Sequence, residues 1–83
     1  MPLYIDVHRG LEGLSAEAAA EVHQKDLDIQ DRYGANYQRY WVNEADGTVM
    51  CLVEAPSKEA AESVHREAHG LVADELIEVK EGS

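Results

Sequence analysis

Apolar and polar residues alternate along Leu3–His8. Leu3, Ile5 and Val7 fall on one face, and Tyr4, Asp6 and His8 on the other, which predicts a half-buried strand. Arg9–Gly13 carries two glycines and reads as a loop. Ser15 is a good N-cap, Glu17 suits a first helical turn, and Ala18, Ala19, Val22, Ile29 and Tyr33 form an apolar stripe. The spacing predicts a helix to about Arg32 or Tyr33, with Gly34 just past its end. Gln24–Asp28 is polar except for Leu27, so the middle of this stripe is weak. Tyr37–Ala45 is aromatic and β-branched enough for a strand. Asp46-Gly47 is a hairpin signal, and Thr48–Glu54 returns as a strand apolar on both faces, as a central strand is. Ala55-Pro56 ends it, because proline donates no ladder hydrogen bond. Ser57 caps a second helix with the stripe Ala60, Ala61, Val64, Ala68 and Leu71, closed by Gly70. Leu76–Lys80 is a last strand, and Glu81–Ser83 a tail.

The order β-α-β-β-α-β predicts an α+β, ferredoxin-like fold: an antiparallel sheet with both helices on one face. Residues 1–83 suffice for one domain. A core this small gains from further burial in a dimer. The uncovered sheet face is expected to carry Tyr4, Asp6 and His8 and to meet a second copy. The two helices are expected to run parallel.

Charge narrows the partners. Seven Lys+Arg against seventeen Asp+Glu give a net charge of −10. Nucleic acids and anionic membranes need a basic footprint, so both are excluded, and metal cations fit better than phosphates. Cys51 is the only cysteine, so no internal disulfide forms and a reducing cytoplasm is expected. Met1–Gly10 lacks the basic start and apolar run of a signal peptide. No apolar run reaches the ~20 residues that span a bilayer.

The candidate chemistry lies in the histidines. His65 and His69 are four residues apart on the second helix. Four residues turn about 400° and rise about 6 Å, so both imidazoles leave one face. Such a pair is half of a transition-metal site, and equally a pair of solvated surface residues. On the first helix His23 and Asp26 share a line. If the two lines face each other, three imidazoles and a carboxylate converge, a donor set for nickel, zinc, copper or cobalt. His65-Arg66-Glu67-Ala68-His69 is not the H-E-x-x-H protease motif, because Arg stands where the general base belongs. Asp6 and His8 share a strand face and form a second candidate pair, expected at the far end of the sheet and completed across a dimer interface. Cys51 reads as a small core residue, and Trp41, Tyr33, Tyr37 and Tyr40 as core or interface. No catalytic serine motif or phosphate-binding glycine loop is present.

Three strings carry a resemblance over nearly the whole chain: Tyr40-Trp41-Val42-Asn43-Glu44, Cys51-Leu52-Val53-Glu54-Ala55-Pro56 and His65-Arg66-Glu67-Ala68-His69-Gly70. With Asp6-Val7-His8 and His23-Gln24-Lys25-Asp26, they resemble a small family of ferredoxin-like nickel-binding proteins, otherwise a domain of unknown function. The resemblance implies a homodimer that binds Ni(II) and sequesters excess metal, and no catalysis is expected. It does not imply which residues are ligands, so His65, His69, His23, Asp26, His8 and Asp6 stand as candidates from the residues alone. The competing reading is a dimeric enzyme or small-ligand binder with a pocket between facing sheets, where Asp6 or His8 would transfer protons.

Overall fold

The computed structural model describes residues 1–82, so Ser83, in the expected tail, lies outside the described residues. The elements are β1 (Leu3–His8), α1 (Ala16–Ile29), a 3₁₀ turn (Gln30–Tyr33), β2 (Asn36–Asn43), β3 (Thr48–Glu54), α2 (Lys58–Ala68) and β4 (Glu75–Val79). The sheet order is β2-β3-β1-β4, with every neighbouring pair antiparallel. This is the ferredoxin-like βαββαβ arrangement.

Local chemistry sets the element ends where the sequence places them. The hydroxyls of Ser15 and Ser57 accept from the backbone N–H of Ala18 and Ala60, each at 3.1 Å. Each bond satisfies a donor the helix leaves open. α1 tightens into its 3₁₀ turn and stops at Gly34, whose φ of +66° is left-handed. β2 is shorter than expected. It ends at Asn43, whose Oδ1 accepts from the Asp46 N–H at 3.1 Å and folds the chain into the turn. β4 begins one residue earlier than expected, at Glu75.

The facing of β1 is the reverse of the expectation. Tyr4, Asp6 and His8 point under the helices, and the alternate residues Leu3, Ile5 and Val7 turn to the open side. Alternation identifies the two faces of a strand but not which one is covered. Here β1 is central, and its polar set meets Tyr37, His65 and Asp26. The core is Tyr4, Tyr37, Val49, Cys51, Val53, Ala61 and Val64 with smaller neighbours. Full burial of Val53 and of Val64 stabilises by about 1.5–3 kcal/mol each. Tyr37 and Tyr40 both reach this core although they are three residues apart, because two β2 residues oppose Leu52 in a bulge that resets the alternation. Trp41, Met50 and Ile77 remain exposed on the open sheet face.

The helices oppose each other instead of running parallel. β1 and β3 pair antiparallel, and each helix returns against the strand before it. α2 therefore climbs toward the end of the sheet where β1 finishes. That places His65 and His69 near His8, contrary to the expected separation.

The β1–α1 loop is pinned to the hairpin by a 3.0 Å hydrogen bond from the Leu11 N–H to the Gly47 carbonyl. Gly47 has φ +67°, and a Cβ there would lie 2.7 Å from the Leu11 carbonyl oxygen. Gly47→Ala is expected to lower unfolding free energy by about 1–3 kcal/mol, measured by urea denaturation. An unchanged midpoint would contradict this account of the turn.

Candidate metal centre

α2 buries Ala61, Val64 and His65. These positions fall on one stripe, so His65 sits within the apolar face of the helix, not beside it. α1 buries Ala19 and Asp26, seven residues apart. The weak, polar middle of its stripe is thus the place where the core itself is polar. β1 contributes Asp6 and His8 from its central position in the sheet.

These side chains form one buried chain of contacts. His65 Nδ1 lies 2.8 Å from Asp26 Oδ1, and His65 Nε2 lies 2.7 Å from Asp6 Oδ2. Both ring nitrogens face carboxylates, so both carry protons and the ring is an imidazolium. Burial alone pushes the His65 pKa down. Its hydrogen bonds to Asp26 and Asp6 and their charges outweigh this and raise it to about 9. Burial pushes Asp6 up, but the hydrogen bond from His65 and the nearby His65 and His8 rings hold it well below the usual carboxylate range. Asp26 is lowered in the same way, burial being overcome by His65 and His69. The Leu71 N–H donates to His69 Nδ1 at 3.1 Å, which leaves Nε2 to donate to Asp26 Oδ1 at 3.0 Å. The Tyr37 hydroxyl lies 3.1 Å from the Ala61 carbonyl and 3.3 Å from Asp6 Oδ2. Burial pushes both the Tyr37 hydroxyl and the Cys51 thiol up, so each keeps its proton.

Two sets of donors share His65. Asp26, His65 and His69 form one, and Asp6, His8, Cys51 and His65 the other; within each set the donor atoms lie within 4.8 Å of one another. The His8 ring is 4.9 Å from the His65 ring. Asp6 Oδ1 is buried with no hydrogen-bond partner among the described residues, and His8 Nε2 stands 3.4 Å away. A buried carboxylate oxygen without a donor is a place a cation would satisfy. Imidazole and carboxylate donors suit Ni(II), so the residues present fit that ion.

Five of the six candidate residues, His65, His69, Asp26, His8 and Asp6, fall in these two sets. His23 falls in neither. Its ring packs on Tyr40 at 4.6 Å, its Nδ1 is buried without a partner among the described residues, and burial lowers its pKa. Sequence reading missed Cys51 and Tyr37. Cys51 pairs with Asp6 across β1 and β3, so the strand register would have revealed it, but register is not written in local spacing.

The network has a pH window. The raised His65 pKa contributes stability that is complete below its unfolded value near 6.5 and is lost as pH rises through about 9. The lowered Asp6 and Asp26 pKa values contribute stability present above about 3.9 and lost as pH falls further. Thermal melts with a chelator present should therefore show a maximum between roughly pH 4 and 6.5 from this network, declining toward pH 9. His65→Leu should remove the alkaline decline and cost about 3–5 kcal/mol at pH 6, because two buried carboxylates lose their cation. A wild-type curve flat from pH 6 to 9.5 would show that His65 is not the bridging imidazolium.

No curated protein matches the chain significantly. The crystal structure of SCO4226 from Streptomyces coelicolor A3(2) is similar, with 37% sequence identity and a TM-score of 0.91 over 98% of this chain and 99% of that chain. The model of the family described as nickel responsive protein SCO4226-like matches residues 4–79. With the βαββαβ fold in place, the family match over residues 4–79 and the 37% identity across nearly the whole of both chains show that the chain belongs to the SCO4226-like nickel responsive protein family.

Proposed function

We propose that the protein binds Ni(II) as cargo, holding it for sequestration without catalysis. The observation that carries this reading is the position of His65, buried between two donor sets. His65, His69 and Asp26 would hold the ion on the α1 side, and His65, His8 and Asp6 on the sheet side. Cys51 stands close enough to the second set to supply a thiolate if its proton is displaced. In the metal-free protein a proton occupies each nitrogen of His65. Metal and proton therefore compete for the same lone pairs, and loading releases protons. The net charge of −10 attracts cations to the molecule. A single buried thiol suits the reducing cytoplasm, where we place the protein. Among the described residues, no helix is long and apolar enough to cross a membrane.

The proposal includes a homodimer formed through the open sheet face. Trp41 and Ile77 are each 49% exposed there, beside Met50, and Leu3, Ile5 and Leu52 extend the apolar surface. An aromatic anchor among aliphatic neighbours is the composition of a buried interface.

Calorimetric titration with Ni(II) at pH 7 should show binding by the wild type. In His65→Ala/His69→Ala, affinity should fall by more than about tenfold, beyond the scale at which even outer partners of a metal site act. Buffers of different ionisation enthalpy should report the released protons. Undiminished binding by the double variant would remove the histidine centre from the proposal, and a wild type that fails to bind would remove the function. Light scattering tests the dimer separately. Trp41→Glu should weaken association by about 30-fold or more, the scale of an interface hot spot. A wild type that is monomeric at high concentration would refute the dimer.

A further inference from the structure

A cavity of about 250 Å³ lies between α1, the β1–α1 loop, the sheet and the end of α2. It is not between facing sheets; it opens on the helix side of the molecule. Leu11, Leu14, Ala18, Val22 and Val49 form most of its wall, and His23 and Tyr40 one side of it. The histidine–aspartate centre borders it through His8, Asp26, Cys51, His65 and His69. The metal reading uses that border and leaves the apolar volume unexplained.

The volume and lining restrict an occupant. An apolar cavity of about 150 Å³ stays dry and admits benzene, so this one accepts a single ring with a short substituent. No Lys or Arg lines it, and its carboxylates are Glu12 and Asp26. An anion finds no free countercharge there, because both nitrogens of the His65 imidazolium already face carboxylates. A cation finds Asp26 already taken by His65 and His69, and Glu12 exposed to solvent at the rim. The occupant is therefore uncharged. His23 adds the one specific demand. Its Nδ1 is buried and lacks a hydrogen-bond partner among the described residues. A hydroxyl both donates and accepts, so it satisfies that nitrogen in either tautomer. The tilted His23–Tyr40 pair offers aromatic faces beside the same volume.

We infer that this cavity is a binding site for an uncharged single-ring phenol, with the ring among Leu14, Val22 and Val49 and the hydroxyl on His23. The site goes beyond nickel binding and does not depend on it.

Ligand-observed NMR on chelator-treated protein tests the site with 4-ethylphenol as probe. A dissociation constant of about 1 mM or tighter is expected, within reach of so small a ligand. Benzoate and benzylammonium should bind at least about tenfold more weakly, because burying either charge is unfavourable. Ala18→Leu fills the cavity with a good helix former and should abolish binding. His23→Phe keeps a ring of similar size. It should weaken 4-ethylphenol about fivefold or more while leaving ethylbenzene unchanged, since the contribution of one neutral hydrogen bond is removed. No binding of 4-ethylphenol, undiminished binding by folded Ala18→Leu, or preference for a charged probe would each overturn the inference. Ni(II) titration of Ala18→Leu separates the two sites. Retained nickel binding with lost phenol binding supports a cavity distinct in function, whereas loss of both in a folded variant overturns that independence.

Discussion

His65 is the buried cation that lets two aspartates exist inside an 83-residue fold. Asp6 comes from the central strand, Asp26 from α1 and His65 from α2. One imidazolium thus joins the three elements on which the arrangement rests. Removing two carboxylates from water costs several kcal/mol each, and their attraction to His65 offsets this only because the geometry is close and bidentate. Tyr37 and His69 occupy further lone pairs of the same carboxylates. The centre is therefore a specification of how the elements must meet more than a source of net stability.

That constraint has a chemical consequence. A ring with both nitrogens protonated is not a ligand. Its two carboxylates hold the proton tightly, and the same two carboxylates would favour a divalent ion in its place. Under the proposed function, such a centre would resist weakly held cations and yield to an ion that binds imidazole strongly, as the Irving–Williams order gives nickel and copper over manganese. The proposed function would thus link metal preference to folding through one set of bonds.

The surroundings follow from where the charges are buried. The polar face of β1 turns inward to meet α2, which forces Leu3, Ile5 and Val7 outward. With Trp41, Met50 and Ile77 they make the open sheet face apolar. The loop pinned by Leu11 and Gly47 lines the space beside the same centre, so an apolar cavity borders a polar floor. The apolar open face, the histidine–aspartate centre and the apolar cavity are in this sense three results of one inversion.

The sequence by itself determined the elements and their order. Ser15, Ser57, Gly34, Gly70 and Asp46-Gly47 act within a few residues, through caps, left-handed backbone and turns. It also named five of the residues that meet at the centre, because an i, i+4 histidine pair and an acidic balance are local and compositional facts. Only the tertiary structure decided which face of β1 is covered, that the helices oppose, and that His8 lies beside His65. It alone brought Cys51 and Tyr37 into reach. Strand alternation is symmetric between faces, and helix direction depends on whether neighbouring strands are parallel. Cross-strand register pairs residues such as Asp6 and Cys51 over long sequence separations. None of these is a short-range property, so burial of the whole sheet against both helices had to settle them.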